Sequence, residues 1–302
     1  MSRWLAPLLL LSFALTACAA PLTHVQPAQA VGKGNWQLAA TGGMTVATSA
    51  LDIVDVGLNT AQDFRNRPTT CTADDTSTCL AASEFRPLAR ALYAAGLAAP
   101  VAAVTELSVH YGLSDTWDVG GRLSTGTQRL DVDYQFLAPP EGQRGWYGLG
   151  SFSYSHQGAQ LPPGVDKILE FFDMADFSRH NFDLAAALGM RLSNYGWFTF
   201  GGRYLLSRYA LDLRPSLGVV DDVTNTGPNI DGIVVHSLPK TDEGGWSHTA
   251  GAFAHLIVGY KYVYVGLELS LAWSSTQTML LGRTESLGDL TIQPSLSLLT
   301  RF

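Results

Sequence analysis

Charge is what this 302-residue chain lacks most: charged residues make up 15% of it, against about 25% in ordinary soluble domains. Hydrophobic residues stand at an ordinary 46%, so Gly, Ser, Thr and Ala have taken the place of the missing charge. Long apolar runs are also missing. Beyond the N-terminal stretch no segment approaches the roughly 20 apolar residues a spanning helix requires, which excludes a helical membrane protein. No Lys/Arg cluster or basic stripe offsets the net charge of −7, and this excludes nucleic acid as a partner. No metal-ligand spacing, phosphate-cradling glycine loop or nucleotide motif is present, so no cofactor is expected.

Of the three cysteines, the first falls at the end of a short apolar stretch. Met1-Ser2-Arg3 carries one positive charge, and Leu5 to Ala14 has the length of a signal-peptide core rather than of a membrane span. The stretch ends Leu15-Thr16-Ala17-Cys18, which resembles the lipobox of bacterial lipoproteins. That resemblance implies a signal peptide over 1–17, acylation of Cys18 by the lipoprotein-processing enzymes, and export past the inner membrane, because Ala19 rather than Asp follows the cysteine. Residues 18–33, rich in Ala, Gln and Pro, are expected to form a periplasmic tether. Cys71 and Cys79 lie in a polar Thr/Asp/Ser-rich stretch with no His or further Cys beside them. In an exported protein such a pair is expected as a disulfide rather than as a redox or metal site.

From residue 34 to 302 the pattern is apolar/polar alternation broken by turn residues, repeated about ten times. Val263, Val265, Leu267, Leu269, Leu271 and Trp273 fall on one face, opposite Tyr264, Gly266, Glu268 and Ser270. Segments 116–124, 129–137 and 181–192 alternate as strictly, and weaker copies lie near 34–47, 101–112, 146–156, 197–210, 246–260 and 290–302. These runs reach the roughly 10 residues that cross a bilayer at a tilt, whereas sandwich strands average about 5 to 6. Trp36, Tyr111, Trp117, Trp146, Trp197, Trp246, Tyr260 and Trp273 mark segment ends, where interfacial girdles sit. Short links near 114–116, 139–145, 193–196 and 260–261 alternate with long connections over about 48–100, 157–179, 211–245 and 276–289. The link at 125–127 is short where a long one was allowed. The expected fold is therefore all-β: a single antiparallel transmembrane β-barrel of about ten strands, with short helices in the loops where 84–97 and 165–172 show helical spacing.

The C-terminal stretch from Ile292 alternates and ends in Phe302. It resembles the terminal signature of outer-membrane barrels, which implies the barrel-assembly machinery as a partner and the outer membrane as the surrounding lipid, with both termini periplasmic and the long loops outside. Thr300 stands where that signature often has an aromatic, and Pro294 needs a place where no N–H is required.

The alternation points Glu106, His110, Asp118, Arg122, Arg129, Asp131, Asp133, Asp183, Arg191, Arg203, His255, Glu268 and Arg301 inward. In a lumen of this size such charges must pair with one another or with trapped water, so they are expected as a structural plug. The role expected is a non-catalytic envelope component acting through its external loops. Two alternatives stand beside it. A small-solute channel would need an open lumen. An outer-membrane protease or lipid hydrolase would need a base among His110, His180, His236, His248 and His255, with carboxylates among Asp173, Asp176, Asp221, Asp222, Asp231 and Asp242, and none of these forms a catalytic motif.

Overall fold

A computed structural model describes residues 22–24, 26–48, 80–81, 102–124, 126–140, 143–159, 172–193, 195–215, 218–220, 235–237, 241–280 and 283–302. The strands are β1 (Trp36–Ala47), β2 (Leu80–Ala81), β3 (Ala102–Gly112), β4 (Trp117–Ser124), β5 (Thr127–Leu137), β6 (Trp146–Ala159), β7 (Phe172–Ser193), β8 (Gly196–Pro215), β9 (Gly218–Val220), β10 (Val235–Ser237), β11 (Thr241–Tyr260), β12 (Val263–Leu280) and β13 (Arg283–Arg301). Ten of them close into an antiparallel barrel in the order β1-β13-β12-β11-β8-β7-β6-β5-β4-β3. The short strands β10, β9 and β2 make a separate three-stranded sheet.

The faces follow the alternation. On β5, Arg129, Asp131, Asp133 and Gln135 are buried while Leu130, Val132, Tyr134 and Phe136 are exposed. On β12, Glu268 and Ser270 are buried, and Val263, Val265, Leu267, Leu269, Leu271 and Trp273 are exposed. A closed sheet that is polar inside and apolar outside inverts the order of a water-soluble domain. It is the arrangement a hydrocarbon surround requires, because every strand edge is paired and the apolar faces meet lipid. The protein is a transmembrane β-barrel.

One end of the barrel carries the short turns and the outer ends of β1 and β13. There Trp36 N donates to Phe302 O (2.7 Å), and Ser114 Oγ accepts from Trp117 N (3.0 Å) to hold the β3–β4 turn. Trp36 packs on Tyr111, and Trp117 on Tyr134, each at 4.7 Å between ring centroids, forming part of an aromatic girdle. Trp197, expected in that girdle, is instead buried in the lumen. It shares the parity of Arg203 on β8, and a shared parity puts both on the inner face.

At the opposite end the strands run past the expected boundaries. The long loop expected at 276–289 is largely strand, since Leu280 pairs with Arg283 across the β12–β13 link. Much of 157–179 and 211–245 is likewise strand, in β6 through β11. Alternation marks a strand only where one face meets lipid, so a polar run such as Ser274-Ser275-Thr276-Gln277-Thr278 gives no such signal. The helical spacings at 84–97 and 165–171 lie outside the described residues, and Phe172, the last of the second set, begins β7.

Pro294 sits on the outward face of β13, where the β1–β13 pairing lapses: Gly43 pairs with Ser295 and Val46 with Ile292, with no pair between. The missing N–H therefore falls at a gap in the ladder.

Placing a charge on the lipid face tests this arrangement. Leu267→Arg is expected to destabilise the barrel refolded into vesicles by about 2–4 kcal/mol, read from urea unfolding, whereas an arginine at half-buried Ser275, in the polar extension of β12, should be nearly neutral.

Candidate functional site

Among the described residues the buried acidic and basic side chains converge in the lumen, and the strands place them there by parity alone. Arg122 on β4 and Arg129 on β5 are direct cross-strand partners, and both bind the carboxylate of Asp131. Arg122 Nε lies 2.8 Å from Oδ2 and Arg129 Nε 2.7 Å from Oδ1. Arg122 Nη1 reaches Glu106 Oε1 at 3.5 Å. Arg129 Nη2 lies 3.2 Å from Asp183 Oδ2, which Arg203 also contacts. Every one of these side chains is buried, so three guanidinium groups and three carboxylates neutralise one another across β3, β4, β5, β7 and β8. His110 faces Asp133, with 3.3 Å between Nδ1 and Oδ2. Gly120 beside it leaves room for the ring, since a Cβ there would stand 2.4 Å from the imidazole. On the side of the long connections, Arg179, Asn181, Ser155 and Ser207 form a second polar set, with Arg179 Nη2 donating to Ser207 Oγ (3.0 Å).

Asp118 and Glu268 have no guanidinium as their hydrogen-bond partner among the described residues; the N-terminal segment supplies their donors instead. Residues 22–24 and 26–31, expected as part of a periplasmic tether, lie inside the barrel. Val31 N donates to Asp118 Oδ2 (2.8 Å), and so does Gln26 Nε2 (3.2 Å). His24 N donates to both oxygens of Glu268, at 2.9 and 3.0 Å. Ala30 N donates to Gln135 Oε1 (2.7 Å), Ala28 N to Thr199 Oγ1 (3.3 Å) and Leu22 N to Gln293 Oε1 (3.2 Å). In return the wall donates to carbonyls of the segment: Arg301 Nη2 to Ala30 O (2.7 Å), Arg122 Nη1 to Thr23 O (3.2 Å) and Ser270 Oγ to Leu22 O (3.1 Å). Trp197 Nε1 donates to Gln29 Oε1 (3.0 Å). Ala28 packs among Leu149, Ala185, Ala187 and Phe253, and His24 and His255 lie against Phe253. An extended segment has unpaired backbone groups, and a polar lumen wall satisfies them as a sheet edge would.

Gly32 and Gly34, at φ +88° and +78°, turn the segment from the lumen into β1. Ordinary side chains rarely adopt that conformation. Residues 22–31 thus form a strap that occupies the barrel's interior from the short-turn rim upward.

Of the residues expected in the lumen, Glu106, His110, Asp118, Arg122, Arg129, Asp131, Asp133, Asp183, Arg203, His255 and Glu268 are buried there. Arg191 is not. It stands exposed at the rim beside a register shift in the β7–β8 pairing, its guanidinium 5.8 Å from the centre of the Trp197 ring. It keeps its register opposite inward-facing Trp197, and it is exposed because it stands at the open mouth of the barrel, where the wall ends. Cys18, Cys71 and Cys79 lie outside the described residues. Missed in the sequence were the strap itself and Arg179, which precedes the alternating run that begins at 181. The legible sign of the strap was the absence of any Asp, Glu, Lys or Arg between Ala19 and Gly32, which is unusual for a solvated tether. A second sign was the excess of inward carboxylates over inward arginines.

No family model and no curated protein matches the chain. Among solved structures it is similar to Neisserial surface protein A, with a TM-score of 0.31, 10% identity, and coverage of 89% of this chain and 100% of the other. Ail, the attachment invasion locus protein of Yersinia pestis, overlaps with a TM-score of 0.29 at 8% identity, covering 89% and 99%. The toluene transporter TodX of P. putida gives 0.21 at 9% identity, covering 89% and 90%. No residue role follows from likeness this loose.

Asp131 is the carboxylate shared by two buried guanidinium groups. Asp131→Ala is expected to cost about 3–5 kcal/mol, because it leaves two charges uncompensated inside the barrel. The loss should appear as a lowered temperature at which the folded, fast-migrating band converts to the unfolded one on a gel.

Proposed function

We propose that the protein is a lipid-anchored barrel of the bacterial outer membrane, closed to solute flow, acting as a non-catalytic envelope component through the connections at its long-loop end. The observation that supports it above all others is the strap, which runs inside the lumen and is bonded to β4, β5, β8, β12 and β13. With the arginine–carboxylate network engaged in mutual pairing, the interior is built as a fixed core. Surface work is then left to the segments between strands, above all 48–101, 160–171 and 216–240. In this reading the short turns and Phe302 face the periplasm, where the barrel-assembly machinery engages the last strand. Cys18 is acylated by the lipoprotein-processing enzymes, and Cys71 and Cys79 pair in the first long connection.

Planar bilayers distinguish this from the channel reading. The full chain is expected to give no steady conductance, whereas a variant lacking residues 22–31 should give stepwise openings while keeping its heat-modifiable barrel band. Comparable conductance from the unaltered chain would replace the closed-barrel reading with a channel.

A further inference from the structure

The strap has a direction, which its bonding partners record level by level. Val31 binds Asp118, one position in from Trp117 at the short-turn rim, and Ala28 binds Thr199, three positions in from Gly196. His24 binds Glu268, five positions in from Val263. Leu22 binds Gln293, eight positions in from Arg301. At about 3.3 Å per residue and a strand tilt of about 40°, Leu22 lies roughly 20 Å above the rim at which the strap enters. Cys18 is four residues before Leu22, and four residues fully extended span at most about 14 Å. With the strap seated, position 18 cannot return to the short-turn rim.

We propose that the strap carries the N-terminal side of the chain through the lumen, so that Cys18 and its acyl group lie at the long-connection end of the barrel, in the outer leaflet. The wall is uneven there. β4 has 8 residues and turns at Gly126 into β5 with 11, while β7 and β8 run to 22 and 20. An acyl chain leaving the lumen crosses the low side, where Leu107, Leu123 and Leu130 face lipid with more than three-fifths of their surface exposed. Anchoring in the periplasmic leaflet would instead draw Leu22, Thr23 and His24 off Gln293, Arg122 and Glu268, and leave those wall groups buried without the partners they have here.

The placement rests on the proposed acylation for its anchor and on the proposed orientation for its side, and one experiment separates all three. In a Cys71→Ser, Cys79→Ser background, Leu22→Cys is combined with Ser270→Cys, whose parent groups meet at 3.1 Å. Cells are fed an alkyne fatty acid, intact outer membranes are treated with a short thiol-specific cross-linker, and the denatured chain is run unreduced. The acyl tag is expected in the cross-linked species, in the same proportion as in total chain. Tag confined to uncross-linked chain, or no cross-link in any chain, overturns the threading. Cross-linked chain without tag supports threading and removes the lipid from it. A Tyr262→Cys variant reports the side: it should react with an impermeant maleimide only after permeabilisation, and reaction on intact cells overturns the outward placement.

Discussion

Hydrocarbon offers a backbone nothing to bond with, and the architecture answers to that constraint. Each peptide N–H and C=O at membrane depth must find its partner within the chain, so the sheet must close, with β1 meeting β13. Closure creates an interior, and an interior enclosed by ten strands is too narrow to leave as bulk water and too wide for short side chains to fill. Two devices fill it here: guanidinium groups bridging carboxylates, and a strap of chain whose own backbone groups need partners. Their needs are complementary. Two wall carboxylates that no arginine binds, Asp118 and Glu268, accept from the strap's N–H groups.

Apolar content is divided in the same way. Outside, leucines and aromatics meet lipid. Inside, one apolar cluster, Ala39, Trp197, Ile257, Tyr264 and Leu299, packs near the short-turn rim beside the strap's entry, and a second, Leu149, Ala185, Ala187 and Phe253, packs on Ala28. Between and above them lie the buried charges. The interior is thus held by apolar packing and by charge together.

The barrel was legible because lipid imposes a period of two on every strand that crosses it. Leu130 and Asp131 declare opposite faces by position alone, and the ten crossings can be counted from such pairs. Where lipid ends the signal ends, and so the polar extension of β12 and β13 read as loop. The lumen residues were legible for the same reason, parity being enough to bring Glu106, Arg122, Asp131 and Asp183 inward. Arg191 escaped because parity fixes a face but not a depth, and this position falls at the mouth of the barrel. The strap left no periodic trace, since a single extended segment surrounded on all sides has no preferred face. It was written instead in a deficit, an uncharged run at the N-terminal side matched to carboxylates elsewhere whose partners were not in sight.

The strap's bonds also bear on the order in which the molecule can be made. Its partners lie on both sides of the β1–β13 seam: Asp118 and Gln135 are reached through β3 from β1, while Glu268 and Gln293 belong to the last strands of the chain. The segment synthesised before every strand therefore completes its bonding only when the final strand arrives. Until then Glu268 and Gln293 have no strap to receive, and the strap has half a wall. Closing the seam and seating the strap are in that sense one event, and a segment that precedes every barrel strand in the chain is among the last to be satisfied.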